Sequence, residues 1–353
     1  MSRPALARLI ALAACLLCFG VVVMGAYVRQ SNAGLGCPDW PGCYGHLTPA
    51  GAAADQATAI APLDGRPLQL GKAWREMAHR YAAGTLGFLI VCLTAMGIVW
   101  RRERIVPAGY AIALLGIVVV QAALGMLTVT WQLDPSIVTL HLLFGLTTLA
   151  LLWWLVLTLW RGRGGVWARP SVRPGAGLTR ARTLALLGLV VLAVQIFLGG
   201  WTSSHYAAIA CPDFPTCQGQ WWPHADFRSA FVLWHRLGVD YEGGLLSNPA
   251  RVAIHLSHRI GALVTTIALV VAAVAALRRD VSGTARLAAR LVLAALLLQL
   301  VIGVSMVLRG FPLWLATAHN AGAALLLLAI LALNRTLWPP PPVPPRPVNA
   351  VNA

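Results

Sequence analysis

The chain has 353 residues, 58% hydrophobic and only 11% charged, with a formal net charge of +16. Soluble domains carry about a quarter charged residues, so a water-solvated globule is excluded. The excess charge would point to nucleic acid in a soluble chain. Here the basic residues, nearly all Arg, cluster between long apolar runs, so they read as a topology signal and nucleic acid is excluded as a partner.

A bilayer core of about 30 Å needs roughly twenty apolar residues to span it as a helix. Stretches of that kind lie near 5–28, 77–100, 105–130, 136–160, 182–201, 252–277, 286–308 and 313–337, which predicts eight transmembrane helices. Leu12-Ala-Ala-Cys15 after two arginines has the look of a lipoprotein cleavage site, but the apolar run continues to Val28, as an uncleaved helix requires. Arg101-Arg-Glu-Arg104, the Arg-rich segment 161–182 and Arg278-Arg279 share a side with Arg3 and Arg8. The positive-inside bias therefore places both termini in the cytoplasm and the long segments 29–76 and 202–251 outside. Trp74, Trp100, Trp131, Trp160, Trp201, Trp314 and Trp338 fall at predicted helix ends and read as an aromatic belt against the lipid interface. The tail from Pro339 is proline-rich and carries no chemistry.

The chain matches itself. Cys37-Pro-Asp-Trp-Pro-Gly-Cys43 recurs as Cys211-Pro-Asp-Phe-Pro-Thr-Cys217, Glu76-Met-Ala-His79-Arg80 as His255-Leu-Ser-His258-Arg259, Gln121-Ala-Ala-Leu-Gly125 as Gln299-Leu-Val-Ile-Gly303, and His141 as His319. The offset stays at about 174–179 residues, which chance similarity between apolar helices does not produce. The predicted fold is an all-α membrane protein of two tandem four-helix bundles, residues 1–160 and 182–337, joined by a cytoplasmic linker at 161–181 and followed by a tail at 338–353. An even number of helices leaves both halves in one orientation, so their pseudo-two-fold axis should run along the membrane normal.

Four histidines, His79, His141, His258 and His319, lie inside apolar runs at repeat-equivalent positions. An ionisable group in the membrane is costly and marks function. They open the second and fourth helices of each half, which puts two imidazoles at matched depth below the outer surface. Paired imidazoles in a bundle suit the two axial positions of haem iron, whereas zinc wants three or four protein ligands. Arg80 and Arg259 follow the first histidine of each pair, with Arg29, Arg75 and Arg251 nearby, and their forks match haem carboxylates. Glu76 stands one turn before His79 where the second half has His255. A carboxyl there suits proton transfer, so one half does chemistry while the other holds an electron-transfer cofactor. Cys15, Cys18 and Cys92 read as apolar packers. Cys37 with Cys43 and Cys211 with Cys217 have the spacing of intraloop disulfides in an oxidising compartment, read here as structural.

Asn32-Ala-Gly-Leu-Gly-Cys37-Pro-Asp-Trp-Pro, Glu76-Met-Ala-His79-Arg80, Leu140-His141 and Ala318-His319-Asn320 resemble the haem A synthase family, over roughly residues 10–337 and including the duplication. The resemblance implies that the N-terminal half binds substrate haem O through His79 and His141, with Glu76 as the catalytic acid. It implies a haem b held in the C-terminal half by His258 and His319. The reaction implied is oxidation of the C8 methyl of haem O to a formyl group through successive hydroxylations, giving haem A. It further implies a farnesyl transferase that supplies haem O, an electron partner, terminal oxidase assembly factors, and a bacterial inner membrane with the Cys loops in the periplasm. Many members lack one or both Cys pairs, which leaves the role of all four thiols open. A di-haem electron carrier would share the four histidines but would not need Glu76 in one half alone. A membrane thiol-disulfide oxidoreductase would use the Cys pairs without needing buried imidazoles. A transporter would need a Gly/Pro-broken midplane helix, which no run shows.

Overall fold

The computed structural model describes residues 2–55, 67–103, 105–160, 176–234, 236–278 and 282–338. Arg104, Arg279, most of the Arg-rich linker and the proline-rich tail lie outside the described residues. Every predicted span is a helix: α1 (Arg3–Gln30), α2 (Leu70–Val99), α3 (Ala108–Thr130), α4 (Pro135–Trp160), α5 (Ala176–Ser204), α6 (Asn248–Ala276), α7 (Gly283–Leu308) and α8 (Leu313–Leu337). All eight are long and apolar enough to cross a bilayer, so the chain is an integral membrane protein. Helices are the form these runs must take, because a lipid-buried backbone has no water to satisfy its N–H and C=O groups.

Local chemistry sets the ends. Pro in the first turn opens α1 and α6. Asp134 caps α4 by accepting the Ser136 and Ile137 N–H groups at 2.9 and 3.2 Å, and the Ser282 hydroxyl accepts the Ala285 N–H to start α7. The second helix of each half begins earlier than hydropathy alone implies, at Leu70 and Asn248. Lys72, Trp74 and Arg75, and later Arg251, dilute the apolar signal of these first turns, although their backbone is fully helical. His79 and His258 therefore sit roughly two and a half turns or more inside their helices, deeper than helix-opening positions.

Within the first quartet α1 packs on α2, α2 on α3, α3 on α4 and α4 on α1; the second quartet repeats this order from α5 to α8. The quartets meet through α1 with α8, α4 with α5, and α4 with α8. Near the chain termini the helices approach closely on small residues, with Ala7, Ala11, Ala14 and Cys18 of α1 and Ala285, Ala288 and Ala289 of α7 fully or almost fully buried. Such stripes let membrane helices gain packing energy where no hydrophobic drive exists between them. Arg8 Nε donates to the Leu159 carbonyl at 3.0 Å, and its repeat counterpart Arg182 donates to Leu337 at 2.7 Å, tying the first helix of each quartet to the fourth. Toward the other end, which carries the two long connections, the helices part around cavities.

Most of the tryptophans at helix ends are exposed as an interface anchor should be; Trp314 is 63% exposed. Trp100 and Trp160 are half-buried against the core, and Trp201 is buried completely. It is 1% exposed, stacks on Phe197, and donates its indole N–H to Ala230 at 2.9 Å. The connection after α5 folds back over this position and turns a predicted lipid anchor into a core residue.

Candidate functional site

Each quartet encloses a cavity at its loop end. The first, about 870 Å³, is lined by His79 and His141 with Glu76 and Gln121. The second, about 440 Å³, is lined by His258 and His319 with His255, Gln195 and Gln299. Both volumes fall in the range of small-molecule and cofactor sites, which are mostly apolar with few polar groups. Glu76 is the only carboxylate among the described residues lining either cavity.

The histidines are held by a repeated device. The ring of His79 lies against Gly25 of α1, His141 against Gly125 of α3, His258 against Gly199 of α5, and His319 against Gly303 of α7. A methyl group at these glycines would stand 3.0, 3.1, 3.2 and 2.9 Å from the respective Cε1 atoms. Only a residue without a side chain lets the neighbouring helix come close enough to support an imidazole there. A glutamine adds a polar clasp: Gln121 Nε2 donates to the His141 carbonyl at 2.9 Å, Gln195 Nε2 to the His258 carbonyl at 3.0 Å, and Gln299 Nε2 lies 3.3 Å from His319 Nε2. Gln121, Gln299, Gly125 and Gly303 are visible in the internal repeat. Gln195 and the pair Gly25 and Gly199 are not among the sequence motifs, although the two glycines share the 174-residue offset of the Cys loops.

Three observations test whether this donor set fits an iron tetrapyrrole. The His258 and His319 ring centres are 6.4 Å apart with planes at 81°. Two metal–imidazole bonds of about 2 Å, with each nitrogen about 1 Å from its ring centre, place centroids roughly 6 Å apart. The Nδ1 atom of His319 is buried with no hydrogen-bond partner among the described residues, while Nδ1 of His258 lies 3.0 Å from Gln195 Nε2; an orphaned buried nitrogen is an arrangement that a polar or ionic ligand relieves. No group of three or more His, Cys, Asp or Glu that would hold a bare metal ion occurs among the described residues. The His258 and His319 pair fits a two-ligand iron centre, and the first cavity offers the equivalent two imidazoles.

Above each cavity sits a Cys loop built the same way twice. Cys37 and Cys43, and Cys211 and Cys217, lie at disulfide bonding distance with Cα atoms 4.7 and 4.6 Å apart, and all four are at most 2% exposed. Asp39 accepts the Tyr44 and Gly45 N–H groups, and Asp213 those of Gln218 and Gly219, so the Asp of each motif locks a turn. The Thr216 hydroxyl, bonded to Asp213 at 2.5 Å, and these backbone donors hold the Asp213 carboxyl below the usual aspartate range.

Arg80 and Arg259 clamp the loops to the helices. Arg80 Nη1 donates to the Asp39 and Gly42 carbonyls at 2.9 and 2.6 Å, and Nη2 reaches Glu76 Oε1 at 2.5 Å. Arg259 donates to the Thr216, Cys211 and Asp213 carbonyls at 2.7, 3.1 and 2.8 Å, and its Nε lies 3.3 Å from His255 Nε2. The guanidiniums expected to meet haem carboxylates thus have loop carbonyls as partners. Glu76 also accepts the Cys37 N–H at 2.9 Å, which joins the cavity carboxylate directly to the disulfide loop. It is 4% exposed, as is its counterpart His255.

Eight membrane-length helices form two quartets, each with a pair of histidines lining an apolar cavity under a Cys loop. The family model described as cytochrome oxidase assembly protein matches residues 8–331. The chain is 40% identical to the haem A synthase of Shewanella oneidensis, over 90% of this chain and 92% of that one. It is 30% identical to that of Caulobacter vibrioides, over 94% and 95%, and 29% identical to that of Rhizorhabdus wittichii, over 93% of each. The chain belongs to the haem A synthase family.

Proposed function

We propose that this protein is an oxidoreductase that converts haem O to haem A for terminal oxidase assembly, oxidising the C8 methyl to a formyl group through successive hydroxylations. The observation that carries the reading is the pair of imidazole cavities of which only the first contains a carboxylate. His79 and His141 take substrate haem O in the larger cavity, and His258 and His319 hold a haem b in the smaller. When bound, the haem b supplies one-electron redox capacity. Gly25, Gly125, Gly199 and Gly303 fix the imidazoles, Gln195 and Gln299 contact the rings of His258 and His319, and Gln121 holds the His141 backbone. Glu76 is the acid at the substrate edge. Its two oxygens are bonded to Arg80 and the Cys37 N–H, so it holds or moves a proton from a fixed position. Arg80 and Arg259 seat the Cys loops as covers that limit water entry. The near-complete burial of all four cysteines supports structural disulfides, since exchange needs access for an attacking thiolate.

The two halves, residues 1–160 and 182–337, are related in this reading by a pseudo-two-fold axis along the membrane normal. A residue meets its own repeat counterpart only near such an axis. Arg29 donates to the carbonyl of Ser203 at 2.9 Å, and the Tyr206 hydroxyl to Asn32 at 3.4 Å, both 174 residues apart. The termini lie in the cytoplasm of a bacterial inner membrane and the Cys loops in the periplasm. A farnesyl transferase supplies haem O and assembly factors of the oxidase receive haem A. The test is pigment analysis of the purified protein. Haem b together with haem O or haem A is the expected content; haem b alone at both sites would make the protein a di-haem carrier.

A further inference from the structure

The two cavities share a wall formed by α1, α4, α5 and α8, in which Arg29, Leu142, Gly200, Ser203 and Asn320 line both. Arg29 is the only charged residue common to the two. The other cavity guanidiniums have their charge or donors committed, Arg80 to Glu76 and the first loop and Arg259 to the second loop. Arg29 differs. One terminal nitrogen donates to the Ser203 and Ser204 carbonyls at 2.9 and 3.3 Å, and the guanidinium lies 4.2 Å over the Tyr206 ring. These contacts fix the head without neutralising it. Its Nε is buried with no hydrogen-bond partner, and no carboxylate pairs with it among the described residues. An unpaired cation with a desolvated donor is expensive to keep at the edge of a membrane bundle. The repeat counterpart of Arg29 is Ser203, so the second quartet has no cation at the equivalent position.

Resting on the reading of both cavities as iron-tetrapyrrole sites, we propose that the Arg29 guanidinium, standing in the common wall, pairs with carboxylates of the ligands in both cavities. A haem carries two carboxylates, and a planar fork recognises them with charge-assisted bonds that a lysine ammonium matches only as a point charge. The charge balance agrees. With Glu76 paired to Arg80, Arg29 is the uncompensated charge of the first cavity, and the second has Arg29 and Arg259 with no carboxylate among its lining residues.

The test uses purified full-length protein carrying its resident pigment, titrated with haem O and with haem O dimethyl ester, in which both carboxylates are masked. Wild type should bind the diacid at least tenfold more tightly, as loss of a hydrogen bond to a charged group implies. Arg29→Gln should bind diacid and ester alike, and Arg29→Lys should keep part of the preference. The midpoint potential of the resident pigment should fall in Arg29→Gln, because removing a nearby positive charge favours the more positive oxidised iron, and should hold in Arg29→Lys. If Arg29→Gln loses the resident pigment, a diacid preference that is reduced in Arg29→Lys supports the proposal and an unchanged one overturns it. A diacid preference retained in Arg29→Gln, or a potential unmoved by it, overturns the proposal. If wild type binds neither compound, the tetrapyrrole reading of the first cavity is what fails.

Discussion

Replacing Gly303 by alanine tests the support of the imidazoles most directly. The new Cβ would stand 2.9 Å from His319 Cε1 and 3.3 Å from its Nδ1. Carbon atoms pack at about 3.5–4.0 Å, so the ring must retreat by roughly 0.5–1 Å. His319 is held on α8 beside Gln299, 3.3 Å from its Nε2, and its partner ring is 6.4 Å away across the cavity. A shift of that size therefore acts on the ligand geometry itself. Overpacking of this kind costs about 1–3 kcal/mol, which lowers affinity for the second-cavity pigment roughly 5- to 150-fold. Gly199→Ala, with its Cβ 3.2 Å from His258 Cε1, should cause a smaller loss. Gly116→Ala on α3 is the control: nothing lies within 4 Å of its Cβ position, and alanine improves helix propensity by up to about 1 kcal/mol. The assay is the reduced-minus-oxidised spectrum and the extracted pigment of detergent-purified protein, per mole of chain. If Gly303→Ala holds as much pigment as Gly116→Ala with an unchanged low-spin band, the glycine is not what positions the ring.

Three further outcomes are expected. Glu76→Gln should retain both pigments but stop methyl oxidation before the aldehyde, with haem O or a hydroxylated intermediate accumulating in cells, whereas His255→Gln should affect turnover far less; normal haem A from the Glu76 variant would remove the carboxylate from the mechanism. Cys211→Ser with Cys217→Ser should lower Tm by the equivalent of about 2 kcal/mol, the loop-entropy value for so short a ring, with turnover per bound pigment unchanged; undiminished stability with lost turnover would instead show a redox role. The Asp213 carboxyl is held below the usual range, chiefly by the Thr216 hydroxyl, so its support of the second loop is complete above the ordinary aspartate pKa of about 3.9 and is lost as pH falls through the depressed value. Limited proteolysis of that loop should therefore accelerate in acid, and Asp213→Asn should cleave at the wild-type acid rate already at pH 7. An acid profile in Asp213→Asn identical to wild type would show that the carboxylate does not hold the loop.

How much was legible in the sequence depended on whether the signal was local. Helix existence follows from apolar runs longer than a bilayer is thick, so all eight spans were readable. The interfacial first turns of α2 and α6 were not, because charge and tryptophan mask a backbone that is still helical. The four histidines and Glu76 stood out because ionisable groups are rare in apolar runs, and the duplication tied them into equivalent pairs. Trp201 was misread because a tryptophan at a helix end looks alike whether lipid or a returning loop covers it. Arg80 and Arg259 neighbour the histidines along the chain, but the carbonyl atoms they bind come from loops 38 to 48 residues away, a distance no local pattern reports.

The order of the helices, their duplication and the chemical types facing the cavities were fixed by the chain itself, since hydropathy and repeat spacing are properties of neighbours along the sequence. Tertiary structure decided which guanidinium pairs with a carboxylate, which clamps a loop and which stands between the two cavities. Arg29, Arg80 and Arg259 look alike in sequence. A guanidinium's role is set by the acceptors packed within about 3 Å of it, and those arrive from other helices and loops. The glycine cradles were decided the same way, because the reason for each glycine is an imidazole on a neighbouring helix.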